Sequence, residues 1–277
     1  MTVATVAELL ARAGELRAIA ASHRLDTELL LCKVLARERA FLYAHPETAL
    51  TDAQARQFDH LFARRKGGEP MAYILGEREF WTLRLKVSPA TLIPRPETEL
   101  LVELALALVV EPAARVLDLG TGSGAIALAL ARERPAWQIA GIDSSAAALA
   151  VAEANRVALG LANVRFRHGD WFDGESDRYH LIVANPPYID AADPHLARGD
   201  VRFEPRAALV AADAGMAALR AIIAGAPEHL RPGGWLLLEH GSRQGAAVRE
   251  CCVAVLQEVR TWHDLAGCER VTGGRMA

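Results

Sequence analysis

From about residue 116 onward, short apolar segments alternate with longer helical patterns, and this alternation constrains the fold more than any other feature. Strands that alternate with helices are joined by crossover connections and form a parallel sheet covered on both faces. We therefore predict an α/β fold, a doubly wound Rossmann-like domain with a mostly parallel sheet. Two late segments are predicted to pair antiparallel. The predicted strands are 116–119, 138–142, 164–166, 180–184, 235–239, 259–262 and 270–273.

The residues before this domain predict two further parts. Residues 1–75 show only helical periodicity, so we predict a small all-helical domain there. Residues 76–93 partly alternate between apolar and polar side chains, which predicts a β-hairpin linker. The α/β domain is then expected to occupy residues 94–277.

Three helices are predicted in the N-terminal part. Apolar residues from Val6 to Leu16 recur at spacings of three and four, as on one helix face. Asp26 and Asp52 are placed to cap the second and third helices. The basic residues 64–66 stand before two glycines, so we interpret them as a helix C-terminus, with a nucleic-acid-binding patch as the alternative.

Composition limits the classes of function. The net charge of −3 gives no support to a protein that wraps long nucleic acids, where a basic surface is expected. The four cysteines lack the spacing of metal sites, and no metal is predicted. Charged residues interrupt the N-terminal apolar positions, and no uncharged run reaches 18 apolar residues. We expect a cytoplasmic protein with free thiols and no membrane association.

Polar clusters follow several predicted strands. In a doubly wound sheet, ligands bind outside the carboxyl ends of the strands, near the point where strand order reverses. The glycine-rich loop, residues 120–124, allows the backbone to approach a ligand closely. Asp143 can accept hydrogen bonds from both hydroxyls of a ribose, and Trp171 offers a flat face for a purine. We predict a nucleoside-binding pocket formed by Asp118, Gly120, Thr121, Gly122, Ser123, Gly124, Asp143, Asp170, Trp171 and Asn185.

The glycines alone do not identify the nucleoside. Gly120, Gly122 and Ala125 also fit the dinucleotide fingerprint. Asp143 lies 19 residues after Gly124, the third glycine of the loop, close to the spacing of the acidic residue in that fingerprint, so an NAD-dependent oxidoreductase is one alternative. Asp118 argues against it, because a carboxylate there would repel a pyrophosphate but can help to hold a cationic amino-acid group. A nucleoside-binding module without enzymatic activity is a further alternative.

The segment Asn185-Pro186-Pro187-Tyr188 directly follows the predicted strand 180–184. The two prolines stiffen the loop and remove two N–H groups, which leaves carbonyl oxygens as acceptors. Asn185 Oδ1 and the Pro186 carbonyl can each accept one hydrogen of a planar –NH2 group, and Tyr188 can pack against its plane. We predict that this loop orients an amide or amine acceptor, with Asn185, Pro186 and Tyr188 as the catalytic residues.

Taken together, several segments resemble the bacterial release-factor glutamine N5-methyltransferases, and the likeness covers nearly the whole chain. Asn-Pro-Pro-Tyr alone is shared with adenine-N6 DNA methyltransferases and some RNA methyltransferases, whereas the segments 92–99 and 200–205 narrow the likeness to glutamine-modifying enzymes. The segments that carry it are 118–124, Asp143, 169–171, 185–188, 92–99, 200–205 and 238–241.

The resemblance implies an S-adenosyl-L-methionine donor, the product S-adenosyl-L-homocysteine, and the glutamine of the Gly-Gly-Gln motif of peptide-chain release factors as acceptor. Architecture and resemblance together assign substrate recognition to residues 1–75. We further expect a monomeric enzyme that has no direct nucleic-acid requirement, since the net charge of −3 suits a protein acceptor at least as well as nucleic acid. A ribosomal-protein glutamine or adenine N6 in DNA remain alternative acceptors. The predicted substrate-binding residues are Asn185, Pro186, Pro187, Tyr188, Phe80, Arg95 and Glu97.

Overall fold

Nine strands occur within residues 4–277, the part of the chain that the computed structural model describes. Two form a separate antiparallel hairpin, which confirms the predicted hairpin, and seven form one sheet. The strands are β1 Glu77–Phe80, β2 Leu83–Lys86, β3 Arg115–Leu119, β4 Gln138–Asp143, β5 Val164–His168, β6 Tyr179–Ala184, β7 Leu230–Glu239, β8 Gln257–His263 and β9 Glu269–Arg275.

The large sheet is doubly wound, as predicted. Its strand order is β5-β4-β3-β6-β7-β9-β8. Strands β3 to β7 pair in parallel, and β9 pairs antiparallel with both β7 and β8. The order reverses between β3 and β6, where Leu119 is the register partner of Ala184. The glycine loop and the Asn185 loop therefore leave the sheet from neighbouring positions.

Ten α-helices complete the described part of the chain. None of them, within residues 4–277, is long and apolar enough to cross a membrane. The helices are α1 Val6–Ala11, α2 His23–Leu35, α3 Arg39–Ala44, α4 Asp52–Lys66, α5 Met71–Leu75, α6 Glu99–Leu108, α7 Ala125–Glu133, α8 Ala146–Leu159, α9 Ala217–His229 and α10 Gly245–Val253.

The chain divides into two compact units. The first comprises the chain up to Gly76 together with Ala197–Phe203, and the second comprises Glu77–Leu196 and Glu204–Ala277. The first unit contains helices α1 to α5, and the hairpin groups with the second unit. Residues 1–3 of the predicted helical domain lie outside the described residues. The role of the first unit in substrate recognition stays a prediction.

The predicted helix starts in the first unit need correction. Asp26 does not cap α2 but lies inside it, where its buried carboxylate accepts a hydrogen bond from Arg65 Nε at 2.7 Å. Thr51, one residue before Asp52, caps α4 through its hydroxyl. The single helix predicted from Val6 is interrupted, because α1 ends at Ala11 and a 3-10 helix follows. The local sequence pattern around Asp26 could not predict this pairing, because its partner Arg65 is 39 residues away along the chain.

The basic end of α4 is a paired helix terminus. Arg65 is bound to Asp26, while Arg64 and Lys66 form ion pairs with Glu69 and Glu15, the latter at 2.7 Å. Each of the three cations has a carboxylate partner, which supports the helix-terminus interpretation over a nucleic-acid patch. Cations in a last turn also interact favourably with the helix dipole.

Apolar side chains cover both faces of the large sheet. On one face the core includes Leu181, Val183 and helices α6 and α7, and on the other it includes Ile182, Ala184 and helices α9 and α10. The hairpin packs into the first of these cores. Phe80, expected to contact substrate, is only 1% exposed there, so the structure places its ring in the core instead.

This placement of Phe80 predicts a stability defect. Removing the ring in Phe80→Ala should lower the free energy of unfolding by about 3–5 kcal/mol, because buried transfer energy is lost and a cavity remains. Its exposed neighbour on β1, Glu79, provides the control, since Glu79→Ala should change stability by no more than about 0.5 kcal/mol. Chemical denaturation of both variants measures the difference. A Phe80→Ala protein of native stability would contradict the core assignment.

Candidate functional site

The loop between β3 and α7 forms one wall of a cavity at the carboxyl edge of the sheet. Gly120, Gly122 and Gly124 have φ angles of +71°, +57° and +83°, which residues with side chains rarely adopt. A Cβ on Gly124 would lie 2.9 Å from Leu128 Cδ1, so helix packing excludes one. A Cβ on Gly120 would meet only Trp171, at 3.7 Å, and both residues line the cavity. Its absence leaves room for a ligand.

Asp118 holds this loop from inside the protein. Its carboxylate is 0% exposed, and Oδ2 accepts hydrogen bonds from the Thr121 hydroxyl at 2.7 Å and the Ala127 N–H at 3.2 Å. Oδ1 is buried without a partner within residues 4–277. Burial raises the pKa of Asp118 to about 7, against the lowering effect of the two hydrogen bonds and with a further rise from Asp143. Asp118 does not line the cavity, so the predicted direct contact with a cationic ligand group is not supported.

Asp143, the last residue of β4, does line the cavity. Its Oδ2 accepts the Gly122 N–H at 2.8 Å, and Oδ1 accepts the Ser145 N–H at 2.8 Å. These bonds fix the carboxylate plane, while each oxygen keeps a second acceptor position. The group is therefore pre-oriented to accept two neighbouring hydroxyls, the arrangement that a ribose presents.

The cavity has a volume of about 200 Å³, and most of the predicted site residues line it. Asp170 and Trp171 line it after β5, as expected. The predicted residues that line the cavity are Arg95, Gly120, Thr121, Gly122, Ser123, Asp143, Asp170, Trp171, Asn185 and Pro187. Those outside its lining are Phe80, Glu97, Asp118, Gly124, Pro186 and Tyr188.

Asn185 lies at the end of β6 with its amide held on one side. Its Nδ2 donates to Thr98 Oγ1 at 3.1 Å, and both residues line the cavity. No donor within residues 4–277 is bonded to Asn185 Oδ1. Because the nitrogen end is engaged, the oxygen is the end of the side chain that can accept a hydrogen from a ligand.

Tyr188 is anchored from both ends. Its hydroxyl donates to Glu239 Oε1 at 3.2 Å, and its carbonyl accepts from Gln244 Nε2 at 3.0 Å. Burial and the neighbouring Glu239 raise the pKa of the Tyr188 phenol above its ordinary range. Burial also raises the pKa of Glu239 to about 7, while the Thr98 and Tyr188 hydroxyls and Arg270 lower it. The ring is thus part of a buried polar network behind the loop.

Arg95 is held at the cavity by a carboxylate. The guanidinium pairs with Glu204, whose Oε2 also accepts the Ile93 N–H at 3.1 Å. The Glu204 side chain is fully buried. Its ion pair with Arg95 connects the segment that precedes α6 with the segment 200–205. Glu97 is exposed.

Sequence reasoning missed three residues of this site. Thr98, Glu204 and Glu239 were assigned no role, although each lies in a segment that carried the resemblance. The available signal for Glu239 was a carboxylate immediately after the apolar run 236–238. For Thr98 and Glu204 the partners are 87 and 109 residues away along the chain, and local pattern carries no such information.

Two family profiles match the chain. Residues 7–76 match the PrmC N-terminal domain, and residues 111–267 match a methyltransferase domain. The release factor glutamine methyltransferase of Pseudomonas aeruginosa is 54% identical over 258 residues, which cover 92% of this chain and 94% of that protein. The release factor glutamine methyltransferase of Escherichia coli is 52% identical over 256 residues, with 92% of each chain covered.

A solved structure supports the fold independently. The 16S rRNA N2 methyltransferase of T. thermophilus, in complex with AdoMet and guanosine, superposes with a TM-score of 0.54. It is 21% identical and covers 73% of this chain and 50% of that one. The likeness shows the Rossmann-like methyltransferase fold. The methyltransferase domain match and the two relatives named above disfavour hydride transfer from NAD.

The raised pKa of Asp118 predicts a pH-dependent stability. Between the unfolded value near 3.8 and the folded value of about 7, the folded state binds a proton that the unfolded state has released, so stability falls as pH rises. Asp118→Asn should lack this contribution, whose slope reaches about 1.4 kcal/mol per pH unit. Denaturant unfolding of both proteins from pH 4 to pH 8 measures it. Parallel curves would show that Asp118 does not titrate in this range.

Proposed function

The chain belongs to the family of release factor glutamine methyltransferases, and we propose that it methylates the side-chain amide nitrogen, N5, of the glutamine in the Gly-Gly-Gln motif of peptide-chain release factors. The methyl donor in this proposal is S-adenosyl-L-methionine. The observation that carries it is the Asn185 side chain, which lines the cavity with its nitrogen bound to Thr98. An acceptor oxygen presented in this way suits an –NH2 group that must be held still.

The cavity fits the adenosyl donor. Asp143 presents two pre-oriented oxygens to a ribose, Trp171 offers an aromatic face to a purine, and the missing side chain of Gly120 leaves space beside Trp171. Asp118 acts indirectly in this account, because it holds the glycine loop. When bound, S-adenosylmethionine supplies an electrophilic methyl group on a sulfonium and leaves as neutral S-adenosylhomocysteine.

The acceptor needs alignment more than acid–base chemistry. A glutamine amide nitrogen is a weak nucleophile, because its lone pair is delocalised into the carbonyl. We assign Asn185 Oδ1, which lines the cavity, as the acceptor of one of its hydrogens. The Pro186 carbonyl is retained as the proposed acceptor of the other; Pro186 itself lies outside the cavity lining, between Asn185 and Pro187, which both belong to it. Such positioning supplies up to about 7–11 kcal/mol in favourable cases, and the two acceptors stabilise positive charge that develops on nitrogen. Transfer would form the C–N bond and break the donor's C–S bond, and the acidified nitrogen would then lose its proton to water.

Recognition of the protein acceptor is assigned to the first unit and to the rim of the cavity. The helical unit matches the N-terminal domain of the same family over residues 7–76. The position of Arg95 in the cavity lining and its contact with Glu204 support a role in contacting an acceptor loop, and exposed Glu97 follows two residues later. This assignment requires no nucleic acid.

A labelled-methyl assay tests the proposed function. The enzyme is incubated with methyl-labelled S-adenosylmethionine and one of three acceptors: a release factor, the same factor with the motif glutamine replaced by alanine, or duplex DNA. We expect label only in the unmodified release factor, on the glutamine that mass spectrometry identifies. Label in DNA, or equal label in the substituted factor, would reject the proposal.

Asp143 is expected to contribute to cofactor affinity. Asp143→Ala removes both acceptor oxygens and should weaken S-adenosylhomocysteine binding by about 1.5–3 kcal/mol, or roughly 10- to 150-fold. Asp143→Asn retains one oxygen and should lose less. Isothermal titration gives both dissociation constants, with NAD as the control ligand that should not bind. An unchanged affinity in Asp143→Ala would remove this residue from the site.

Asn185 is expected to act on turnover more than on cofactor binding. Asn185→Ala removes one preorganised acceptor and should lower kcat by about 10²- to 10³-fold, with little change in the dissociation constant of S-adenosylhomocysteine. Asn185→Asp keeps an oxygen in place but adds a negative charge beside the sulfonium, so binding should hold while turnover falls. Steady-state kinetics with a release factor measure both. Near-native kcat in Asn185→Ala would show that this loop is not the catalytic element.

A further inference from the structure

We propose that Gln244 is a positioning residue that fixes the Asn185 loop, residues 185–188, by holding the carbonyl oxygen of Tyr188. Its effect on turnover rests on the proposed function, in which this loop orients the acceptor amide. Gln244 lies in the turn after β7, directly before α10. It does not line the cavity, so it acts through the loop and not by contact with a ligand.

The Gln244 amide is hydrogen-bonded at both of its ends to backbone groups. Its Oε1 accepts the Gly241 N–H at 2.9 Å. Its Nε2 donates to the Tyr188 carbonyl at 3.0 Å and to the Ala214 carbonyl at 3.4 Å. Because an N–H only donates and a carbonyl only accepts, one of the two orientations of the amide satisfies all three bonds. One side chain thus connects the Asn185 loop, the segment before α9 and the turn after β7.

The segment 213–215 lies against the same Tyr188 carbonyl. Asp213, Ala214 and Gly215 have φ angles of +56°, +51° and +85°, and two of the three are not glycine. Backbone in this region persists where the surrounding structure determines it, and it is concentrated at functional sites. A Cβ on Gly215 would lie 2.1 Å from the Tyr188 oxygen and 2.8 Å from Gln244 Nε2. The strained segment therefore packs against both partners of the hydrogen bond.

The chain after the Asn185 loop is held by backbone pairing. The Ile189 N–H donates to the Leu209 carbonyl at 2.9 Å, and the Ile189 carbonyl accepts the Ala211 N–H at 3.1 Å. These two bonds fix the chain from residue 189 onward. The bond from Gln244 to the Tyr188 carbonyl extends this fixation by one peptide group into the loop itself.

Holding the Tyr188 carbonyl also restrains the Pro186 carbonyl. The ring of Pro187 fixes its φ angle near −65°, so few torsions separate the two carbonyls. In the proposed function the Pro186 carbonyl accepts one hydrogen of the acceptor amide. Gln244 therefore supports this end of the loop, at a distance from the cavity.

Two substitutions of Gln244 separate its donor from its acceptor. Gln244→Glu keeps an oxygen for the Gly241 N–H but places a second oxygen opposite the Tyr188 carbonyl, while Gln244→Met provides neither partner. We expect both to lower kcat on a release factor by about 10- to 100-fold, with S-adenosylhomocysteine affinity little changed. Exposed Ser242 lies in the same turn, so Ser242→Glu controls for the added charge and should keep the wild-type kcat. Native kcat in Gln244→Glu, or a loss confined to KM, would overturn the positioning role.

Gly215→Ala disturbs the same carbonyl without changing Gln244. The added Cβ must displace the Tyr188 carbonyl, so kcat should fall as in Gln244→Met. Gly160→Ala is the matched control, because Gly160 also has a positive φ, +67°, but a Cβ there would meet nothing within 4 Å. Both variants should lose stability in denaturant unfolding, and only Gly215→Ala should lose turnover. Equal kcat in the two variants would contradict the proposal.

A spectroscopic measurement reports on the hydrogen bond without activity. Protein labelled with ¹³C at the tyrosine carbonyls has four labelled positions, and the Tyr188 resonance is the one that is absent from Tyr188→Phe. A carbonyl carbon that loses its hydrogen bond moves upfield, so we expect this shift in Gln244→Met and not in Ser242→Glu. An unchanged Tyr188 resonance in Gln244→Met would reject the positioning role. The upfield shift, together with no methyl transfer by the wild-type protein to any release factor, would support the anchoring of the loop and reject the proposed function.

Discussion

The parallel pairing of β3 with β6 is the interaction on which the site depends. The pairing brings Leu119 and Ala184 side by side, and both strands are buried by apolar layers above and below. The loops that follow, one with glycines and one with prolines, begin at neighbouring points of a rigid edge. The cavity is formed where the strand order reverses, because the connecting helices pass to opposite faces there.

Two buried carboxylates stand at this edge and hold its loops. Asp118 accepts a hydrogen bond from the hydroxyl of Thr121 and fixes the glycine loop, while Glu239 accepts a hydrogen bond from the hydroxyl of Tyr188 behind the Asn185 loop. Burial raises both pKa values to about 7. Neither carboxylate lines the cavity. Both carboxylates thus lie behind residues that line the cavity, where a fixed geometry matters more than the stability lost by burying an ionisable group.

Much of the second unit was predictable from local pattern. The apolar runs located the parallel strands β3 to β6 and the antiparallel pair β8 and β9. The glycine-rich loop was predicted to let the backbone approach a ligand closely, and all three of its glycines have a positive φ. These features depend on backbone preference and on which faces are apolar, and both are properties of neighbouring residues. The predictions for Asp26 and Phe80 failed because each side chain could be exposed or buried. The choice depended on residues distant in the chain, Arg65 for Asp26 and the core of the second unit for Phe80.

By itself, the sequence determined the order of strands and helices, the conformation of the glycine loop and the position of Asn185 at a strand end. Only the tertiary structure decided the partners: the ion pair between Arg95 and Glu204, and the bond from Asn185 to Thr98, which lies 87 residues earlier in the chain. Hydrophobic periodicity predicts which face of a helix or strand is buried, but it does not predict which other element packs against that face. Hydrogen bonds are directional and short, so their pairing follows only from the final docking of the elements.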